Sequence, residues 1–376
     1  MRASELRILI VGGGFSGMSA AIQLRKTGAA VDLVEIDPNW RSYGAGITLG
    51  AATLRTFVEL GILDDFLKQG FAAEGGEFFT ASGQKIATLT APRLARPDVP
   101  PVGAILRPLL ASILAEATKA SGTRVRLGVT FAEIAQEGDG AKVTLTDGAT
   151  ATYDLVVGAD GLNSKMRKTF FPDAPSPRYT GQCVWRAVLP RPPEVKTLQM
   201  SIGDKVKVGV NPVSKDEMYM FVTEDRPTNA YVDPAQFAPS LKALLAQFSS
   251  PLIKAIRDSL NENSRIVYRP LEGLLMPQPW SRGRVVLIGD AVHATTPHLG
   301  AGACIGIEDA IVLAQELERQ ETLASALKSF EIRRWERCRM VVENSLRLGE
   351  IEITNGDRVE HAEIMRNSAL TLAEPI

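Results

Sequence analysis

The order of apolar and polar positions changes character three times along the chain. Arg7–Val11 is a short β-branched, apolar run. Glycines follow it, helical spacing begins at Phe15, and Gly28 closes that helix as a C′ residue. Ala30–Glu35 is a second apolar run. Strand, helix and strand in this order predict two parallel strands joined by a crossover helix. A second region of the same kind runs from Leu106 to Gly161. Its helix is Pro108–Ala120, and its strands include Arg124–Leu127, Lys142–Thr146 and Leu155–Gly158. Between Cys183 and Thr223 the periodicity shortens. Lys205–Asn211 and Met218–Val222 alternate and are split by Asn211-Pro212 and Ser214-Lys215-Asp216, which predicts antiparallel sheet. Tyr219 and Phe221 fall on one face, Met218 and Met220 on the other; alternation does not say which face is the working one. Pro234–Asn261 reads as helix, capped at Asp233 and broken into pieces by Pro239 and Pro251. A strand over Arg284–Gly289, a helix over Gly302–Arg319 and a helical tail over Leu323–Ile353 complete an α/β chain with a β-rich interruption.

Composition narrows the possibilities. The 376 residues suggest about two domains. With 42 Lys+Arg against 43 Asp+Glu there is no electrostatic footprint for nucleic acid. No apolar run approaches the length that spans a bilayer, and the first strand begins too early for a signal peptide. The cysteines, Cys183, Cys304 and Cys338, are few and far apart, which points to a reducing, cytoplasmic setting. No cysteine lies close to a histidine, so no metal site is expected. His293 reads as structural, His361 as a solvated residue of a polar tail, Cys304 as a small buried thiol, and Trp185 and Trp280 as packing residues.

Gly12-Gly13-Gly14-Phe15-Ser16-Gly17 matches G-x-G-x-x-G. It follows a strand, opens a helix and precedes an acidic residue, Glu35, at the end of the next strand. Gly12 permits a tight turn, Gly14 lets the backbone approach a pyrophosphate, and Gly17 lets helix and strand pack closely. The helix start offers unpaired N–H groups to phosphate. A carboxylate at Glu35 suits two ribose hydroxyls and disfavours a 2′-phosphate, so the expected dinucleotide is NAD or FAD.

Two later motifs bear on the choice. Leu155–Gly161 is a strand ending in Asp160-Gly161. Val285–Ala291 is a strand ending in Gly289-Asp290, followed by Pro297, Gly300, Gly302 and a helix. In this order the three motifs resemble the group A flavin-dependent aromatic hydroxylases of the para-hydroxybenzoate hydroxylase fold, over nearly the whole chain. The resemblance implies FAD. It also implies a Rossmann-like FAD-binding domain (1–72, 101–178 and 276–376) interrupted by a β-rich substrate domain (73–100 and 179–275). The implied cofactor residues are Gly12, Gly14, Phe15, Ser16, Gly17, Glu35, Arg41 before Gly44-Ala45-Gly46-Ile47, Arg107 in Ile105–Leu110, Asp160, Gly289 and Asp290. Pro297, Gly300, Ala301 and Gly302 complete them, with Ala301 where the family commonly has Gln and Glu308-Asp309 downstream. Ser164 and Arg167 follow Asp160 as in the family, whose members use that segment near both FAD and the nicotinamide.

There is one dinucleotide fingerprint and no dithiol pair. NADH or NADPH is therefore expected as a transient co-substrate, with dioxygen as the oxidant. The chemistry that the resemblance implies is hydroxylation of a small aromatic or N-heteroaromatic compound through a flavin C4a-hydroperoxide; an epoxidase or an oxygen-independent flavin reductase of the same fold is the alternative. His298 and Pro297, in the loop expected beside the flavin, are the catalytic candidates, His298 as a proton carrier or as a packing residue. Arg186, Asn211 and Tyr219 are the candidate substrate contacts, each with an ordinary role in sheet or core as the competing reading. A monomer or homodimer is expected.

Overall fold

The computed structural model describes residues 1–42 and 44–376. Its centre is a six-stranded sheet in the order 281–282, 285–287, 155–158, 7–11, 30–35, 124–127. All neighbours are parallel except the short strand Ser281–Arg282 at one edge. Ile8, Leu9 and Ile10 face Leu155, Val156 and Val157 in register and are fully buried. A central parallel strand covered on both faces must be apolar throughout, and for that reason Arg7–Val11 carries no polar alternation. The helices Phe15–Lys26, Arg107–Ala120 and Gly302–Arg319 accompany this sheet; the first and third pack together, as do the first and second.

The β-rich part is a seven-stranded sheet in the order 266–273, 178–190, 217–225, 206–212, 198–202, 75–80, 85–90. Its register decides which side chains line up. Val188, Tyr219 and Asn211 form one row; Arg186, Phe221 and Gly209 the next; Val184, Thr223 and Lys207 the third; Gln182 and Asp225 pair beyond them. The opposite face carries Trp185, Ala187, Met218, Met220, Val208 and Val210. That face is buried under helices Phe237–Leu245 and Pro251–Ser259 through Leu241, Leu245 and Ile253. The helices thus settle the question that alternation leaves open: the methionine face is core, and the Tyr219 face turns toward the strand Gly46–Leu49.

Two expectations need correcting. Pro239 does not break the helix Phe237–Leu245 but sits in its first turn, where a backbone N–H has no intrahelical acceptor to lose. His361 is not a solvated tail residue. It lies on the helix Arg358–Ala373, which Asp357 caps and which packs on the long helix Leu323–Thr354; its Nε2 is 3.3 Å from Glu352.

Candidate flavin and substrate site

The first turn is built by close packing. Gly12 has φ +108, and a side chain there would overlap the Ala159 carbonyl. A side chain at Gly17 would overlap the carbonyl of Gly12. The nucleotide turn is thereby pressed onto the Ala159-Asp160 turn. Gly14 differs: nothing lies within 4 Å of where its Cβ would be. It is the N-cap of the helix Phe15–Lys26 and no side chain caps it, so the helix N–H groups face open space. The helix Gly302–Arg319 likewise starts at Ala301 without a side-chain cap. The two uncapped helix starts are positive poles suited to a pyrophosphate and to the electron-rich edge of a reduced ring.

The Glu35 carboxylate accepts from Gly13 N at 2.7 Å and from Asp37 N at 2.8 Å, which fixes its direction and leaves lone pairs for ribose hydroxyls. Arg41 forms an ion pair with Asp37 at 3.0 Å at the outer lip. The Phe15 ring lies under the Arg107 guanidinium at 4.9 Å. Ser16 is a spacer: its hydroxyl occupies the room left by Gly289 and Gly306. Gly289 has φ +62, so two reasons exclude a side chain there.

Asp160 turns inward. Its carboxylate accepts from Ser164 Oγ at 2.5 Å and from Met166 N at 2.9 Å, and so braces the start of a short helix that Ser164 caps. Arg167 donates to the carbonyls of Ala291 and Leu162 and ties this turn to the Gly289-Asp290 turn. Both side chains are therefore engaged in shaping loops. Asp290 is the contrast. Among the described residues its carboxylate takes no hydrogen bond, and solvent reaches it. It still lies deep in the cleft, and the protein packed around it raises its pKa against the pull of His293 and Arg107. An unpartnered carboxylate on the cleft floor, a bare glycine turn and two uncapped helix starts fit FAD.

The sheet supplies the opposite wall. Arg186, Tyr219 and Asp290 all lie close enough to Arg107 for their charges to act on it; burial lowers the Arg107 pKa first and Arg186 second. Arg186 is half-buried and has no counter-ion or hydrogen bond within the described residues. Tyr219 packs on the backbone of Gly46, where a Cβ would collide with its ring, and Asn211 Nδ2 donates to Thr48 Oγ1 at 3.1 Å. Pro297 and Gly300 are exposed, while Ala301 is buried. His298 points elsewhere. Its Nδ1 meets Thr296 Oγ1 at 2.8 Å, its ring packs against Gly349 of the long helix, and burial lowers its pKa.

The sequence reading missed two groups. Lys207 shares the cleft-facing side with Asn211 and binds Glu352 at 2.7 Å; Glu352 in turn faces His298 at 3.5 Å and His361. Counting back by twos from Asn211 would have found Lys207 on this face. The other group lies beneath the cleft. Asp309 accepts from Gly289 N at 2.9 Å, His293 Nε2 at 2.6 Å and Arg334 Nε at 2.8 Å, all buried. Glu308 meanwhile holds Arg337 and Arg334. Burial would lower the His293 pKa, but Asp309 and Cys338 raise it well above its ordinary value. His293, Asp309 and Cys338 bring three ligand-type atoms within 4.8 Å of one another, yet Arg334 donates to both Asp309 and Cys338 and supplies a cation itself.

Residues 5–345 match the FAD binding domain family. Aurachin C monooxygenase/isomerase of Stigmatella aurantiaca is 30% identical over 348 residues, 92% of this chain and 89% of the relative. 6-Hydroxynicotinate 3-monooxygenase of Bordetella bronchiseptica is 30% identical over 353 residues, 89% of each. The crystal structure of Klebsiella pneumoniae HpxO complexed with FAD and uric acid superposes with a TM-score of 0.84 at 24% identity, covering 98% of this chain and 97% of that one. The chain belongs to the FAD binding domain family, in its group A aromatic-hydroxylase branch with the para-hydroxybenzoate hydroxylase-like fold. It is a flavoprotein monooxygenase with FAD as its cofactor. No helix among the described residues is long and apolar enough to cross a membrane.

Proposed function

We propose that this monooxygenase hydroxylates a small aromatic or N-heteroaromatic compound bearing an anionic group, a carboxylate or an ionised ring hydroxyl, bound between the flavin and the Tyr219 face of the sheet. The observation that carries the reading is Arg186: a half-buried cation on the cleft side of the sheet, without a counter-ion among the described residues and beside a second cation, Arg107. A ligand anion removes that repulsion. Asn211, fixed by Thr48, and Tyr219, fixed on Gly46, would orient the ring. The relatives support the ring class, since one is named for 6-hydroxynicotinate. In this reading residues 1–72, 101–178 and 276–376 hold FAD, and 73–100 with 179–275 cover the substrate.

When bound, FAD supplies the reductive activation of dioxygen, with NADH or NADPH as the electron source. The protein contributes orientation, dryness and charge. The helix start at Ala301–Gly302, free of a side-chain cap, would offer N–H groups to negative charge developing on the cofactor. The Gly14 turn would hold the pyrophosphate of the cofactor and Asp290 its ribityl hydroxyls, and Pro297 would wall the reacting edge. The enzyme is read as a cytoplasmic monomer or homodimer.

The test is a screen of phenolic and pyridine-type acids for stimulated NAD(P)H oxidation, with oxygen uptake followed and product mass checked for one added oxygen atom. Turnover that proceeds equally well without oxygen would sink the hydroxylase reading. Arg186→Met should raise KM for the anionic substrate by about 10-fold or more, the range expected for a lost charge-assisted hydrogen bond, and should change kcat less. An unaltered KM removes Arg186 from the site.

A further inference from the structure

Gly209 stands in the middle of the strand Val206–Pro212, where glycine weakens a sheet and most other residues would serve better. Its φ is not in the left-handed region, so the backbone does not require glycine. The neighbouring strand does. A Cβ at Gly209 would collide with Cζ, Cε1 and Cε2 of Phe221. The tip of the Phe221 ring therefore lies directly over the glycine.

The register gives this lean a direction. Arg186, Phe221, Gly209, Met200 and Phe78 stand opposite one another on five adjacent strands and share one face. Along this row Phe221 leans toward Gly209 and so away from Arg186, which leaves clear the ground beside the guanidinium. Arg186 and Phe221 are half-buried, as are Met200 and Phe78 beyond Gly209. Phe221 packs against the small apolar cluster of Ala45, Ala104, Val213 and Tyr219. The Ala45 carbonyl accepts from Arg107 N at 2.9 Å, so the row borders the same cleft as Arg107. The Tyr219 ring, 5.5 Å from that of Phe221 and tilted 31° to it, is buried and seated on Gly46. It blocks movement of Phe221 to that side.

We propose that Phe221 limits the ring size of the substrate and that Gly209 is the positioning residue that holds it in place. Together they leave beside Arg186 a slot for a single-ring acid, closed toward Met200 by the Phe221 ring. The inference rests on the reading that the substrate anion meets Arg186. Removing the ring extends the slot over bare Gly209 to the apolar Met200, which makes room for a second fused ring. A methyl group at Gly209 drives the Phe221 ring into the other χ1 well common in strands, back over the ground beside Arg186, and fills the slot.

The test follows the flavin spectrum of FAD-loaded protein titrated with 6-hydroxynicotinate, one ring, and 6-hydroxy-2-naphthoate, two fused rings. The wild type is expected to bind the pyridine acid at least about 10-fold more tightly, within the range by which an apolar pocket discriminates size. Phe221→Ala should bind the naphthoate about 10-fold or more tighter than the wild type does and change the pyridine acid less. Gly209→Ala should weaken the pyridine acid by about 10-fold or more. Adding Phe221→Ala to Gly209→Ala should restore it, a rescue that a purely structural role for Gly209 does not predict. An unchanged preference in Phe221→Ala overturns the proposal, and so does a double variant that keeps the wild-type melting temperature without the rescue. If Arg186→Met leaves both titrations untouched, or neither acid perturbs the wild-type flavin, the substrate reading itself falls and the slot with it.

Discussion

Gly14→Val is expected to fold and to purify colourless. The position has φ −75 and ψ −177, an extended conformation open to any residue, and nothing in the protein lies within 4 Å of the new Cβ. Valine is a poorer N-cap than glycine, which costs on the order of 1 kcal/mol. The branched side chain would stand where the pyrophosphate must approach the backbone, and FAD affinity should fall by at least about 100-fold. The measurements are the visible absorbance of purified protein, FAD titration and the melting temperature of the apo form. A variant that keeps stoichiometric FAD would falsify the placement of the turn. Gly12→Ala makes an instructive contrast: it meets the Ala159 carbonyl and a positive φ, so it should lose fold and flavin together.

Asp309→Ala should be destabilising by about 3–5 kcal/mol, because it strands buried Arg334 and His293. It also removes the acceptor of Gly289 N, so flavin affinity should drop as the turn bearing Asp290 loosens. Asp309→Asn keeps one acceptor oxygen and should fall between. Denaturant midpoints across pH check the electrostatics. Burial would raise the Asp309 and Glu308 pKa values, but His293 for Asp309 and Arg334 for both hold them below the ordinary range. Their stabilisation is therefore present above about pH 4 and is lost as pH falls through the lower folded values. The raised pKa of His293 works in the other direction. Its stabilisation is complete below about pH 6.5 and disappears as pH rises through the folded value. Replacing His293 by Gln should remove that alkaline decline. An Asp309→Ala variant as stable as the wild type throughout would mean that the network does not hold the floor of the cleft.

Much of the site was legible because flavin binding is largely a backbone function. Glycines and strand-to-helix turns announce themselves in sequence: Gly12, Gly14 and Gly17 could be named from spacing, and Gly289 and Gly302 from the family resemblance. Side-chain directions were less legible. Asp160 accepts from Ser164 and Met166; Arg41 pairs with Asp37; His298 sits in the expected loop yet packs against the long helix. A motif fixes where a residue lies along the chain, whereas the direction of its side chain depends on neighbours from distant segments.

The sequence by itself determined the parallel core, the nucleotide turn, the antiparallel character of Lys205–Val222 and its pairs of alternating faces. These follow from local periodicity and from the backbone needs of glycine. Only the tertiary structure decided that Met218 and Met220 go under helices while Tyr219, Arg186 and Asn211 turn to the cleft. It alone joined Lys207 to Glu352 and Asp309 to Gly289 across more than a hundred residues in the first case and twenty in the second. Burial and charge pairing are properties of what packs against a face, and no periodicity within one strand contains that information.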